Sequence, residues 1–164
     1  MTVGTTFGKL YLKATRVTGN IITLTEQGHF DILVHGCNCF CTMGAGLALQ
    51  IKNRYPVAFE VDCTTQKGDQ SKLGGFSAAH IRTKAHNFTI VNAYTQYSYG
   101  RGRHVNYDAI RVAFKTINQH YSHPSFRIAY PAIGAGLAGG DWQRIQSIIN
   151  AELRNRNHTF VSLK

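Results

Sequence analysis

The chain has 164 residues, with 18 Lys plus Arg against 8 Asp plus Glu, 16 Gly and only 3 Pro. Its 43% of hydrophobic residues is the composition of a globule rather than of a disordered tail, and no run approaches the ~20 apolar residues of a membrane helix. The formal net charge of +10 favours an anionic partner such as nucleic acid, phosphate or a nucleotide, although the basic residues are scattered and form no block.

Residues 9–17 (KLYLKATRV) alternate as a half-buried strand does. Residues 31–35 (DILVH) are a short apolar run suited to a central strand covered on both faces. A glycine-rich loop follows, and then Leu47, Ile51 and Tyr55 recur at helical spacing until Pro56. A second short helix is expected over residues 57–65, with strands over 75–81 and 88–94. After a polar loop at 98–104, Ile110, Phe114, Ile117 and Tyr121 mark a helical stripe that starts near Asp108. A strand at 127–131, a helix at 142–153 and a strand at 159–163 complete the series. Strands interleaved with helices predict an α/β fold with helices on both sides of one sheet, and no repeat or linker divides the single domain 1–164.

Three of the four cysteines stand in Cys37-Asn38-Cys39-Phe40-Cys41. In an extended chain His35, Cys37, Cys39 and Cys41 would share one face, but zinc ligands are usually spaced by two to four intervening residues. Reduced thiols and no metal are therefore expected. The opening MTVGTTFGKL lacks the basic-then-apolar order of a secretory signal, so a cytoplasmic location is expected.

Both glycine clusters fall where a strand ends and a helix begins. The first is Cys41-Thr42-Met43-Gly44-Ala45-Gly46-Leu47-Ala48, and the second runs from Pro131-Ala132-Ile133-Gly134-Ala135-Gly136-Leu137 through Ala138, Gly139, Gly140 and Asp141 to Trp142. Glycine lets the backbone approach an anion, and helix N-termini aim unpaired N–H groups at it. Two such loops at the carboxyl ends of strands would suit a diphosphate. Neither is a Walker A loop or a dinucleotide fingerprint, and no Gly-x-Ser-x-Gly elbow is present.

In these residues the sequence resembles the macrodomains. The segments that carry the likeness are Val17-Thr18-Gly19-Asn20-Ile21, Val34-His35-Gly36-Cys37-Asn38-Cys39, Met43 to Ala48, and Pro131 to Leu137. It is most similar to the branch of ADP-ribose-1″-phosphate phosphatases and ADP-ribosyl glycohydrolases, and to stand-alone macrodomains encoded by phages. The resemblance implies a three-layer α/β/α fold around a mixed, mostly parallel sheet of about six strands. It further implies that Gly19, Asn20 and Ile21 meet the adenine, with Asn20 standing where most members have Asp. Asn38, with Cys39 beside it, would hold the distal ribose. Met43, Gly44, Ala45, Gly46 and Leu47 would bind the diphosphate, and Ile133, Gly134, Ala135, Gly136, Leu137, Ala138 and Gly139 would form the opposing clamp. The family's distal-ribose aromatic is replaced by Ala138, and residues 91–96 (VNAYTQ) lack the lysine of the glutamate-cleaving glycohydrolases.

Candidates for chemistry are His35, to shuttle a proton or steer water, and Asp141, to orient a nucleophilic water. Asp141 also suits the cap of the helix that follows, and His35 also suits a buried sheet-edge histidine. Asn38 completes the candidate catalytic set. Arg101 and Arg103, with His104, occupy a loop suited to clamping a terminal phosphate. The expected activity is hydrolysis of ADP-ribose-1″-phosphate to ADP-ribose and phosphate, without a cofactor, by a monomer that does not engage membranes. If the chain is phage-encoded, it would act in the host cytoplasm. The alternatives are an ADP-ribosyl hydrolase acting on modified nucleic acid or protein, or on O-acetyl-ADP-ribose, and a non-catalytic module that reads or sequesters ADP-ribose.

Overall fold

Alternation of apolar side chains decides which strands lie inside. In the computed structural model, which describes residues 14–164, β2 (Ile32–Cys37) and β4 (Phe88–Tyr94) are buried almost throughout. Ile32 and Val34 point to one face and Leu33 and Cys37 to the other, so each strand feeds two separate clusters of core side chains. That double burial is the mark of a sheet covered on both sides.

The remaining strands are β1 (Ala14–Thr18), β3 (Phe76–Ile81), β5 (Arg127–Tyr130) and β6 (Asn157–Ser162). The six lie in the order β1-β6-β5-β2-β4-β3, all neighbours parallel except the β3–β4 pair. Helices α4 (Tyr107–His120) and α5 (Trp142–Glu152) cover one face, where Ile110, Phe114, Ile117, Ile145 and Ile149 are fully buried. On the other face lie α1 (Ile21–Glu26), α2 (Gly46–Arg54) and α3 (Pro56–Cys63). The result is the α/β/α sandwich that the interleaved pattern predicts.

Three local features depart from the sequence pattern. The strand predicted over 9–17 is seen from Ala14, its first five residues lying outside the described chain, and β1 is exposed along its length rather than half-buried. The pattern predicts no helix at α1, whose six residues are too few to display a helical stripe. The helix expected near Asp108 begins one residue earlier, because Asn106 caps it by accepting from the Ala109 N–H at 2.9 Å. Among the described residues no helix is long and apolar enough to cross a membrane.

Candidate functional site

The sheet order determines what can share a site. Moving across the parallel strands, the carboxyl ends of β6, β5, β2 and β4 follow one another, and a cleft of about 1040 Å³ runs along them. Phe160, Val161 and Leu163 line its β6 end; Gln96, Tyr99, Arg101 and His104, from the loop after β4, line the other. Between them the two glycine loops form the walls, with residues 43–47 on one side and Gly134, Gly136, Leu137 and Ala138 on the other. The cleft is thus apolar at one end, charged at the other and bounded by backbone in the middle.

The first wall is held in an unusual shape. Cys41 and Met43 adopt positive φ (56° and 39°), a region costly for residues with a Cβ. Asn38 braces this turn, its Nδ2 donating to Thr42 Oγ1 at 2.7 Å and its Oδ1 accepting from the Phe40 N–H at 2.8 Å. Ala45 begins α2 without any side-chain cap, so the first N–H groups of the helix stay available beside the cleft. In the second wall, the Ala138 carbonyl accepts from His104 N and Val105 N (3.0 and 3.2 Å), which ties this loop to the one bearing Arg101. The glycines of this wall differ in kind. A Cβ at Gly140 would lie 2.5 Å from the Gly134 carbonyl oxygen, whereas one at Gly136 would meet nothing within 4 Å.

The cleft floor is polar but closed. His35 is 1% exposed, and its Nε2 donates to Asn92 Oδ1 at 2.7 Å. Asn92 Nδ2 in turn donates to the Ala58 carbonyl and to Ser77 Oγ. Burial lowers the His35 pKa to about 4, so the imidazole is neutral near pH 7. Asp62 is the only carboxylate among the described residues lining the cleft; it too is 1% exposed, receives the Tyr94 hydroxyl at 2.8 Å, and has its pKa raised by burial.

These features sit in a recognisable sequence frame, because the family model for the Macro domain matches residues 34–149. The chain belongs to the macrodomain family. It is 33% identical over 137 residues to an uncharacterized 17.5 kDa protein of Enterobacteria phage T4, a match spanning 82% of this chain and 86% of that one. Among solved structures it is similar to the macrodomain of Thermus aquaticus DarG, with a TM-score of 0.73 at 21% identity over 92% of this chain and 97% of the other. Thermosipho africanus DarTG, solved in complex with ADP-ribose, gives a TM-score of 0.73 at 16% identity, covering 92% of this chain and 42% of that one.

This macrodomain gathers only part of the residues singled out from sequence. His35, Asn38, residues 43–47, Arg101, Gly134, Gly136, Leu137 and Ala138 line the cleft. Ile133 and Cys39 are buried and do not line it, and Ala135 and Gly139 belong to the second loop without lining it. Asp141 lies outside the lining and caps α5, its Oδ1 accepting from the Gln143 N–H at 3.0 Å. Arg103 is also outside; its Nη2 donates to Tyr107 Oη at 2.6 Å. The Asp141 N–H and the Arg103 guanidinium together lower the Tyr107 pKa. Gly19, Asn20 and Ile21 also lie outside the lining: Gly19 N donates to the Ser162 carbonyl at 2.8 Å, Asn20 caps α1 and Ile21 is buried.

The sequence pattern puts Thr42 in the first glycine loop without a role, and it does not single out Gln96, Asp62 or the β6 tail. Gln96 reaches the cleft because it forms an isolated antiparallel bridge with Val105 that folds the intervening loop over the strand ends. Neither Cys37 nor Cys39 is activated, since burial raises both above the ordinary thiol pKa. Among the described residues no group of three or more His, Cys, Asp or Glu is placed to hold a metal ion.

Proposed function

We propose that the cleft binds the ADP-ribose unit along its length and that the protein hydrolyses ADP-ribose-1″-phosphate to ADP-ribose and phosphate. The observation that carries this reading is the pairing of the two glycine-rich walls across the carboxyl ends of β5 and β2. Backbone N–H groups facing each other there suit a diphosphate. The base then falls at the apolar β6 end and the distal ribose at the end lined by Asn38, Gln96, Arg101 and His104. ADP-ribose in the similarly folded Thermosipho protein supports the ligand class.

The reaction follows from what the distal end contains. Cleaving a glycosidic bond commonly calls on paired carboxylates, and the one carboxylate lining the cleft among the described residues is buried and already bonded to Tyr94. Phosphoryl transfer relies instead on positioning and on stabilising charge spread over phosphate oxygens. In this reading Arg101 supplies that charge and Asn38 orients the ribose. His35, neutral and tied to Asn92, positions the floor. Asp141 serves the helix rather than the water. The chain works as one domain over 1–164, as a cytoplasmic monomer needing no cofactor.

Phosphate release from ADP-ribose-1″-phosphate tests it, run beside acetylated ADP-ribose and ADP-ribosylated DNA and protein. Turnover of the 1″-phosphate that falls about 100-fold in Arg101→Ala is expected. Tight calorimetric binding with no turnover of any substrate would reduce the protein to a reader of ADP-ribose.

One observation favours a second reading, release of ADP-ribose from nucleic acid. Arg101, Arg103 and Arg144 have no carboxylate partner within 4.0 Å among the described residues, and the net charge is +10. Faster turnover of ADP-ribosylated DNA than of the 1″-phosphate would put this reading first.

A further inference from the structure

Two cysteines that play no part in the cleft chemistry stand next to each other. Cys41, at a positive-φ position behind the first wall, turns its Sγ toward the end of α3. The thiol donates to the Asp62 carbonyl at 3.3 Å and lies 3.7 Å from Thr65 Oγ1. That carbonyl belongs to the peptide group joining Asp62 to Cys63, so the Cys41 sulfur lies within one peptide unit of the Cys63 backbone. Cys63, the last residue of α3, is exposed. The little burial it has raises its pKa, and the Cys41 thiol, hydrogen-bonded beside it, raises it further.

A cation completes the group. Lys72 Nζ donates to the Cys39 carbonyl at 3.1 Å and stands 3.7 Å from Cys41 Sγ. It thus gives that sulfur a positive neighbour, the setting in which thiols act as nucleophiles. Cys37 and Cys39 are buried, whereas Cys41 is partly exposed and Cys63 fully so. An oxidant arriving from solvent meets the Cys41–Cys63 pair first.

We propose that Cys41 and Cys63 form a reversible intramolecular disulfide in response to a hydroperoxide, a modification that pins the first wall of the cleft to the end of α3. The Cys41 thiolate attacks one peroxide oxygen and the O–O bond breaks. The departing hydroxide takes a proton to become water, and Cys41 is left as the sulfenic acid. The Cys63 thiolate then attacks Cys41 Sγ, the S–S bond forms, and the sulfenic oxygen leaves as a second water. Two electrons pass from the sulfurs to the peroxide, and the two thiol protons end in the two waters. Thr42 and Met43, the next residues along, line the cleft, so the pin restrains the loop that carries them. The cross-link also restricts the unfolded chain, which makes the oxidised protein the more stable form. None of this depends on which ligand the cleft takes.

The test treats the full chain with hydrogen peroxide, alkylates the remaining thiols in urea, and maps the peptides without reduction. A Cys41–Cys63 linkage within one chain is expected, reversed by dithiothreitol, with Cys37 and Cys39 alkylated. The oxidised protein should unfold at a higher urea concentration, a shift that dithiothreitol abolishes. In Cys63→Ser, which cannot close the bond, dimedone should label the Cys41 sulfenic acid; in Cys41→Ser it should leave Cys63 unlabelled. A map without the Cys41–Cys63 linkage overturns the inference, as does a linkage found only between chains or an unshifted urea midpoint. Equal labelling of Cys63 in Cys41→Ser overturns the order of the two steps. Should either variant fail to fold, the wild-type peptide map and urea midpoint decide.

Discussion

His35 and Asn92 are register partners on β2 and β4, with Nε2 and Oδ1 2.7 Å apart. Asn92 Nδ2 has to donate to the Ala58 carbonyl at 2.9 Å, so Oδ1 must face the ring and Nε2 must carry the proton. The cleft floor thus holds one histidine tautomer, neutral and already bonded. A proton shuttle would have to break that bond, and for that reason the proposed reaction gives His35 a positioning part.

This neutral state has a measurable signature in stability. Burial lowers the His35 pKa from 6.5 to about 4, and burial also takes His158 to about 4. Above pH 6.5 both folded and unfolded chains carry neutral rings, and the full stability is present. Between 6.5 and 4 the unfolded chain takes up protons that the native state refuses, so stability falls as pH falls through that window. For His35 alone the span is roughly 3 kcal/mol. Urea midpoints measured from about pH 7.5 to about 4.5 should fall steadily in the wild type and less steeply in His35→Gln. Asp62, whose pKa is raised by burial, opposes the slope near its acid end, and the difference between the two proteins isolates the histidine.

Asp141 offers a clean separation of cap from catalyst. Its carboxylate accepts from Gln143 N at the start of α5 and lies outside the residues lining the cleft. Asp141→Ala should cost about 1 kcal/mol of stability, and Asp141→Asn, which still caps, should restore most of it. Phosphate release in Asp141→Asn should stay within about three-fold of wild type at a temperature where both are folded. A general base would lose its function in Asn, so a collapse of turnover there would return Asp141 to the chemistry.

The strands, four of the helices and the two glycine loops were legible because each rests on local pattern: apolar runs in β2 and β4, the Ile110–Phe114–Ile117 stripe in α4, glycines after β2 and β5. What was not legible depends on partners far along the chain. His35 looks equally like a catalyst or a core residue until Asn92, 57 residues on, is seen to bind it. Arg101 and Arg103 are neighbours in one loop, yet Tyr107 turns the second away from the cleft that the first lines. The short helix α1 escaped because Gly19-Asn20 reads equally as a turn, and only the bonds to Ile22 and Thr23 show it to be a helix start.

That difference between the two arginines is itself testable. Arg101→Ala and Arg103→Ala remove the same charge, so a long-range field effect would slow both alike. If Arg101 touches the distal phosphate while Arg103 is engaged by Tyr107, Arg101→Ala should lower kcat/KM about 100-fold and Arg103→Ala less than about five-fold. Steady-state phosphate release at about 0.15 M salt provides the comparison, and equal losses would point to a diffuse basic field.

The glycines of the second wall divide by what a methyl group would strike. At Gly140 a Cβ would stand 2.5 Å from the Gly134 carbonyl oxygen and 2.9 Å from both Ile145 Cδ1 and Val105 Cγ2. Backbone cannot give way as a side-chain tip does, so Gly140→Ala must move the loop and lose the 2.6 Å bond from Gly140 N to the Gly134 carbonyl. A loss of about 2–3 kcal/mol, typical of overpacking, is expected in urea melts, along with weakened ADP-ribose binding. At Gly136, which lines the cleft in open space, Gly136→Ala should leave stability within about 0.5 kcal/mol of wild type. Its methyl group would instead intrude where the diphosphate is proposed to lie, so calorimetric affinity for ADP-ribose should fall while stability holds. A Gly136→Ala protein that binds as tightly as wild type would remove that part of the wall from contact with the ligand.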